Sequence, residues 1–129
     1  MRNGKILPWR NGYKMDFPQR GEIWLVSLEP IVGHEIGKTR PALVISNDLN
    51  NQYADTVTVL PITSKTKKIY PFETFLPKKN TNLSLDSKIK SNQIRTIDKK
   101  RLIKLLGKIE KEKIKEVEQA ILIHLGFET

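Results

Sequence analysis

Cysteine is absent from this chain, which removes disulfides and thiolate chemistry and makes a reducing cytoplasm the simplest home. Histidine occurs twice, at His34 and His124, too sparsely for a zinc cluster, so no metal or other cofactor is expected. No apolar run approaches the length that crosses a bilayer, and no membrane partner is expected. The basic start MRNGKILPWRNGYK lacks the apolar stretch and small-residue cleavage site of a secretory signal. A phosphate-binding GxxxxGK[ST] loop, an HExxH pair and a GxSxG serine are missing as well. A protein-derived nucleophile is therefore not expected. Acidic residues are the scarcer charge, 14 against 23 Lys and Arg, giving a net charge of +9 and a pI near 9.8. A field of that sign favours a polyanion: nucleic acid, an acidic membrane or an acidic protein segment.

What is present fits one domain. The 129 residues, 38% hydrophobic and 29% charged, suffice for one compact core and not for two. Residues 1–19 hold Gly4, Pro8, Gly12 and Pro18 among scattered aromatics without a period. They read as a flexible N-terminal extension ahead of a domain over 20–129, and Met15 is an alternative start. From Glu22 onward the signals are β: EIWLVSL, PALVIS, DTVTVLPIT and YPFETFL are rich in β-branched and aromatic residues. DLNN (48–51) reads as a turn and KKNTNLSLDS (78–87) as a polar loop. KIKSNQIRTID (88–98) reads as a strand broken near Ser91 and Asn92. Asp98 is placed to cap a helical turn over DKKRL, and IKLLGKI is a last strand. The period then changes: Ile114, Val117, Ile121 and Leu125 follow helical spacing, and Gly126 suits the helix stop. The fold class is mainly β (α+β), a small curled sheet or barrel with a C-terminal helix packed against it.

The densest stretch is GHEIGKTRP (33–41), a charged and glycine-containing loop between two apolar strands. One reaction suits it without a protein nucleophile, because RNA carries a ribose 2′-hydroxyl beside every phosphodiester. Cleavage by that oxygen needs a base, a cationic clamp for the phosphorane and an acid for the leaving 5′-oxygen. Glu35 is the base candidate, with a positioning or steering role as the alternative. Arg40 is the clamp, since a planar guanidinium contacts two phosphoryl oxygens at once. Its alternative is an ion pair that pins the loop, to Glu35 for instance. Thr63, at the end of VTVLPIT, supplies a hydroxyl or is a strand residue chosen for propensity. His34 and Lys38 would line the groove, base catalysis by His34 being the lesser reading. Ser64, Lys65, Lys67 and Lys68 of SKTKK follow Thr63 directly and would contact phosphates, or form a solvated turn. Tyr70 and Phe72 are candidates for stacking unpaired bases, with alternation putting at least one in the core.

RGEIWLVSLEPIVGHEIGKTRPALVIS, followed by VTVLPITS, YPFETFL and NQIRTID, resembles the MazF/PemK family of toxin endoribonucleases over about residues 20–125. The resemblance implies an SH3-like β-barrel of the CcdB/PemK kind with a C-terminal helix, and a homodimer. It implies a growth-inhibiting toxin of a type II toxin–antitoxin system: a metal-independent, sequence-specific nuclease cutting single-stranded mRNA and neutralised by an acidic antitoxin protein. Arg40 and Thr63 fall on the family's catalytic positions, Glu35 on an acidic loop position that some members use, and Gln93 and Arg95 beside the RNA groove. The same barrel occurs in the CcdB toxins, which bind DNA gyrase and cut nothing. A gyrase binder and a degenerate nucleic-acid-binding module are therefore the rival functions.

Overall fold

The computed structural model describes residues 17–128 and, before them, the backbone of 9–10 and 13–14. The expected flexible extension over 1–19 lies mostly outside the described residues. Within it β1 (Trp9–Arg10) pairs antiparallel with β2 (Tyr13–Lys14).

The body follows as β3 (Glu22–Ser27), β4 (Thr39–Val44), α1 (Asp48–Tyr53), β5 (Thr56–Thr63), β6 (Glu73–Leu76), β7 (Ser87–Lys90), β8 (Arg95–Asp98), β9 (Leu102–Lys108) and α2 (Lys111–Leu125). Strands β3 to β9 form a seven-stranded sheet in the order β6-β7-β5-β4-β3-β9, with β8 also on β5. Every pairing is antiparallel. The eight-residue β5 organises it. One edge of β5 takes β4, and the other takes β8 along its first half and β7 along its last two residues.

Of the curled sheet or barrel expected with a terminal helix, the structure is the sheet, left open. Its end strands β6 and β9 do not pair with each other, and α2 packs on β6 and on the 3-10 turn at 91–93 instead. The helix gives the apolar surface its cover, so strand closure is not required.

Both faces of the central strands are buried, as the near-continuous apolar runs in β3 and β5 require. Ile23, Leu43, Leu60, Ile62 and Ile89 face Val117 of α2. Trp24, Val26, Ala42, Val44, Val57 and Val59 form the opposite face with Ile97. Two register shifts between β3 and β9, at Ile23/Trp24 and Leu25/Val26, add the local twist that bulges produce.

Other expectations resolve locally. DLNN is not a turn but part of α1, because the side chain of Asn47 accepts the Asn50 N–H at 2.8 Å and caps it. Asp98 does cap the 3-10 turn at 99–101, accepting from Lys100 N at 2.8 Å. Gly126 ends α2 in the left-handed region. Ile114 and Ile121 pack on the core, but Leu125 is half exposed beside exposed Ile123 and Phe127. The helix outruns the sheet by its last turn.

Gly107 of β9 marks a close backbone approach. A Cβ there would lie 2.7 Å from the carbonyl oxygen of Thr81, and two backbones have no rotamer with which to yield. Gly107→Ala is expected to destabilise the fold by about 1–3 kcal/mol, read as a lowered urea midpoint at unchanged slope.

Candidate active site

Strand register builds the site. Ala42 of β4 pairs with Pro61 of β5, and continuing that register two residues sets Arg40 opposite Thr63. On the other edge of β5, Thr63 pairs with Lys88 of β7. Side chains on one cross-strand row share a face, so Arg40, Thr63 and Lys88 form a polar row across three strands. On β3 and β4 the same face carries Val26, Ala42 and Val44 of the core. The buried apolar face thus runs on into the site without a break.

Arg40 is half-buried, and its Nε donates to the carbonyl of Gly37 at 2.9 Å. That bond fixes the plane of the guanidinium. Its two terminal amino groups have no acceptor among the described residues, and no ion pair to Glu35 forms there. Thr63 is 8% exposed, and its Oγ1 accepts from Lys65 N at 3.3 Å, so the hydroxyl hydrogen remains free to donate. Both side chains line a cavity of about 280 Å³ with His34, Ile36, Lys65, Lys88, Lys90 and Gln93. Arg40 also walls a neighbouring cavity of about 340 Å³, which Lys38, Ser64, Leu83, Leu85 and Ser87 help to line. Arg40 thus borders both compartments.

The loop ahead of Arg40 is tied down at several points. Gln93 Oε1 accepts from Ile36 N at 3.3 Å, Glu29 Oε1 from Lys38 N at 2.5 Å, and Leu28 N donates to Lys38 O at 2.8 Å. Gly37 is buried beneath the side chains of Ile31 and Glu29, so it serves packing and leaves little room for a flexing hinge.

Not every candidate converges. Glu35 is exposed and its Oε1 accepts from Val32 N at 2.7 Å, closing its own turn; it lines neither cavity. Lys67 and Lys68 are exposed farther along their turn, with Lys68 Nζ 4.7 Å from the Tyr70 ring centre. Arg95 donates to the carbonyl of Leu28 at 3.2 Å and lines neither cavity. Trp24 is buried core. Tyr70 and Phe72 stack on each other at 5.1 Å with planes 4° apart, and neither is fully buried. Pairing between neighbours replaces the in-and-out alternation expected of a strand, because β6 begins only at Glu73.

Sequence reasoning missed three residues. Glu73 is a carboxylate with no side-chain exposure, bonded to Lys90 Nζ at 2.6 Å, Lys88 Nζ at 2.9 Å and Tyr70 N at 2.9 Å. Burial by itself pushes that carboxyl up, but the bonds from Lys90, the Tyr70 N–H and Lys88 outweigh it and hold the group below the usual glutamate value. The signal was in KIK: two lysines at strand spacing share one face, and in a strand this buried a shared face needs a partner.

The chain also matches known proteins. The model of the PemK-like, MazF-like toxin of type II toxin–antitoxin systems matches residues 19–125. Endoribonuclease MazF9 of Mycobacterium tuberculosis (strain ATCC 25618 / H37Rv) is 38% identical over 114 residues, covering 84% of this chain and 97% of that protein. The crystal structure of MazF (Form-I) from Deinococcus radiodurans superposes with a TM-score of 0.76 at 28% identity, covering 86% of this chain and 98% of the other. An endoribonuclease in complex with its cognate antitoxin, from a mycobacterial species, shares the fold at a TM-score of 0.72 and 20% identity, with 87% and 98% coverage. With a family model matching nearly the whole ordered body and a 38% identical relative covered almost end to end, this chain belongs to the PemK-like, MazF-like toxin family.

Proposed function

We propose that the chain is a sequence-specific endoribonuclease toxin that cuts single-stranded mRNA without a metal ion. One observation carries the reading. Arg40, anchored through Nε with its two amino groups unpaired among the described residues, lines the same cavity as the Thr63 hydroxyl.

The chemistry follows from that placement. The ribose 2′-oxygen forms a bond to phosphorus and the bond to the 5′-oxygen breaks, leaving a 2′,3′-cyclic phosphate and a 5′-hydroxyl. Arg40 holds two non-bridging oxygens and stabilises the charge that grows on them. Thr63 donates to the same phosphate. The 2′ proton needs an acceptor, and the leaving 5′-oxygen takes its proton from Arg40. Of the two base candidates, His34 already lines the cavity, whereas Glu35 spends its carboxylate on the Val32 N–H. His34 therefore takes the base role and Glu35 shapes the loop. His34→Ala is expected to lose about a hundredfold in single-turnover rate, within the range for a general base, and Glu35→Gln less than tenfold. The reverse order would return the base role to Glu35.

The same groove suits an acidic antitoxin protein, whose negative, partly disordered tail would cover the basic row and order on binding. Homodimerisation would cover Ile123, Leu125 and Phe127 at the end of α2, exposed at 46%, 52% and 62%. A cytoplasmic location belongs to the same reading, since that is where its substrate is. Among the described residues no helix is long and apolar enough to cross a membrane.

Nuclease action is favoured over gyrase binding by the 38% identical relative named an endoribonuclease and by a site that brings Arg40, Thr63 and Lys88 onto one cross-strand row. The test is incubation of purified, antitoxin-free protein with an unstructured transcript in chelator, followed by end analysis. Cyclic-phosphate and 5′-hydroxyl ends at a recurring short sequence are expected. Intact RNA would favour the gyrase binder or the binding-only module.

A further inference from the structure

Glu73, Lys88 and Lys90 are not required by the cleavage chemistry above, yet they form the most buried charge cluster among the described residues. Lys90 is the cross-strand partner of Glu73, Lys88 that of Thr63, and the two lysines lie two residues apart on one face of β7. The Lys88 and Lys90 side chains are 9% and 18% exposed, and the side chain of Glu73 that bonds both is fully buried.

The cluster does not balance. One carboxylate faces two ammoniums, leaving an excess of one positive charge on side chains that are largely buried. A buried ion pair is weak support for a fold, and a second desolvated lysine on a carboxylate already paired adds cost. Hydrogen bonding tells the same story. Each ammonium has three N–H donors. Lys88 uses two, to Glu73 and to the carbonyl of Lys68 at 2.7 Å, and Lys90 uses one. The remaining three have no acceptor among the described residues. Both lysines line the cavity that holds Arg40 and Thr63. The ring of Tyr70, 6.0 Å from Lys88 Nζ, backs the cluster from outside.

We propose that Lys88 and Lys90, held apart by the buried Glu73 carboxylate, form a second phosphate subsite that receives the phosphodiester next to the one being cleaved. This rests on the reading of the cavity as an RNA channel. Glu73 is a positioning residue: it neutralises half the charge, fixes both lysine stems on β7, and leaves the unused N–H groups for an anion. Because those stems are already immobile, binding a phosphate orders little that is free. Surface lysines such as Lys67 lack that advantage.

Salt dependence separates a phosphate contact from a structural role. The probe is a fluorescein-labelled single-stranded 2′-O-methyl oligonucleotide of mixed sequence, which cannot be cut because its 2′-oxygens are blocked. Its affinity for the full chain is followed by anisotropy over a series of salt concentrations. Lys90→Met, which keeps most of the stem, is expected to weaken binding about tenfold and to shrink the slope of log affinity against log salt by about 0.7, the value for one phosphate contact on a single strand. Lys90→Arg is expected to restore the slope. Lys88→Met gives a second reading should the first variant lose its fold by circular dichroism. An unchanged slope in folded Lys90→Met and Lys88→Met overturns the subsite. So does a defect confined to an acidic peptide, which would assign the cluster to antitoxin, and so does a wild type that binds no oligonucleotide. A wild type that binds with the expected slope but leaves RNA uncut removes the nuclease reading and keeps Lys88 and Lys90 only as a phosphate contact.

Discussion

Arg40→Ala is expected to slow RNA cleavage by about three orders of magnitude, while the fold stays intact by circular dichroism and thermal melting. A single preorganised donor aimed at developing charge contributes about a hundred- to a thousandfold, and Arg40 brings two open amino groups on one rigid plane. The bond from Nε to Gly37 O at 2.9 Å is what makes it preorganised, because the guanidinium cannot rotate away without losing it. Stability should change little, since the side chain is half-buried and pairs with no carboxylate among the described residues. Arg40→Lys should recover only a small part of the rate: a lone ammonium cannot bond Gly37 and still span two phosphoryl oxygens. The measurement is single-turnover cleavage at saturating protein. A rate within tenfold of wild type in Arg40→Ala would remove the arginine from the chemistry and leave it as a tether for the loop.

Glu73→Ala is the largest expected change in stability, about 3 kcal/mol, at the lower end for breaking a buried ion pair. The reason is what remains: two partly desolvated lysines side by side on one face of β7, with Lys90 more exposed than Lys88. The same cluster sets a pH dependence. The Glu73 carboxyl lies below its ordinary value in the folded chain, so between the two values the unfolded chain binds more protons. Its contribution is therefore complete above the unfolded value of about 4.3 and is lost as pH falls through the folded one. Urea titrations from neutral to acid pH should show the midpoint falling over that window in wild type, and Glu73→Gln should lack that component. A variant that tracks wild type at every pH would show that the pair contributes nothing net.

The sequence exposed a good part of this. Strand content came from β-branched runs, and α2 from the spacing of Ile114, Val117 and Ile121. The break at Ser91–Gln93 and the Asp98 cap were both legible, because each depends on near neighbours. DLNN misled because Asx side chains cap helices as readily as they close turns, and the deciding residue, Asn47, stood one place earlier. Leu125 misled because helical period says which side is apolar and not how far the sheet beneath extends. Arg95 was placed near the groove by resemblance, yet its guanidinium goes to the carbonyl of Leu28.

By itself the sequence determined the positive field, the run of buried strands followed by one terminal helix, and the arginine and threonine at strand ends flanked by charged loops. Those are local properties, set by composition and by contacts a few residues apart. Only the tertiary structure decided that Arg40 lies opposite Thr63, that Lys88 extends their row, and that Glu73 is buried between two lysines while Glu35 faces away. The physical reason is register. A shift of one residue in any pairing would turn every side chain of that strand to the other face, and the register is fixed by the packing of both faces at once, which no single stretch of chain contains.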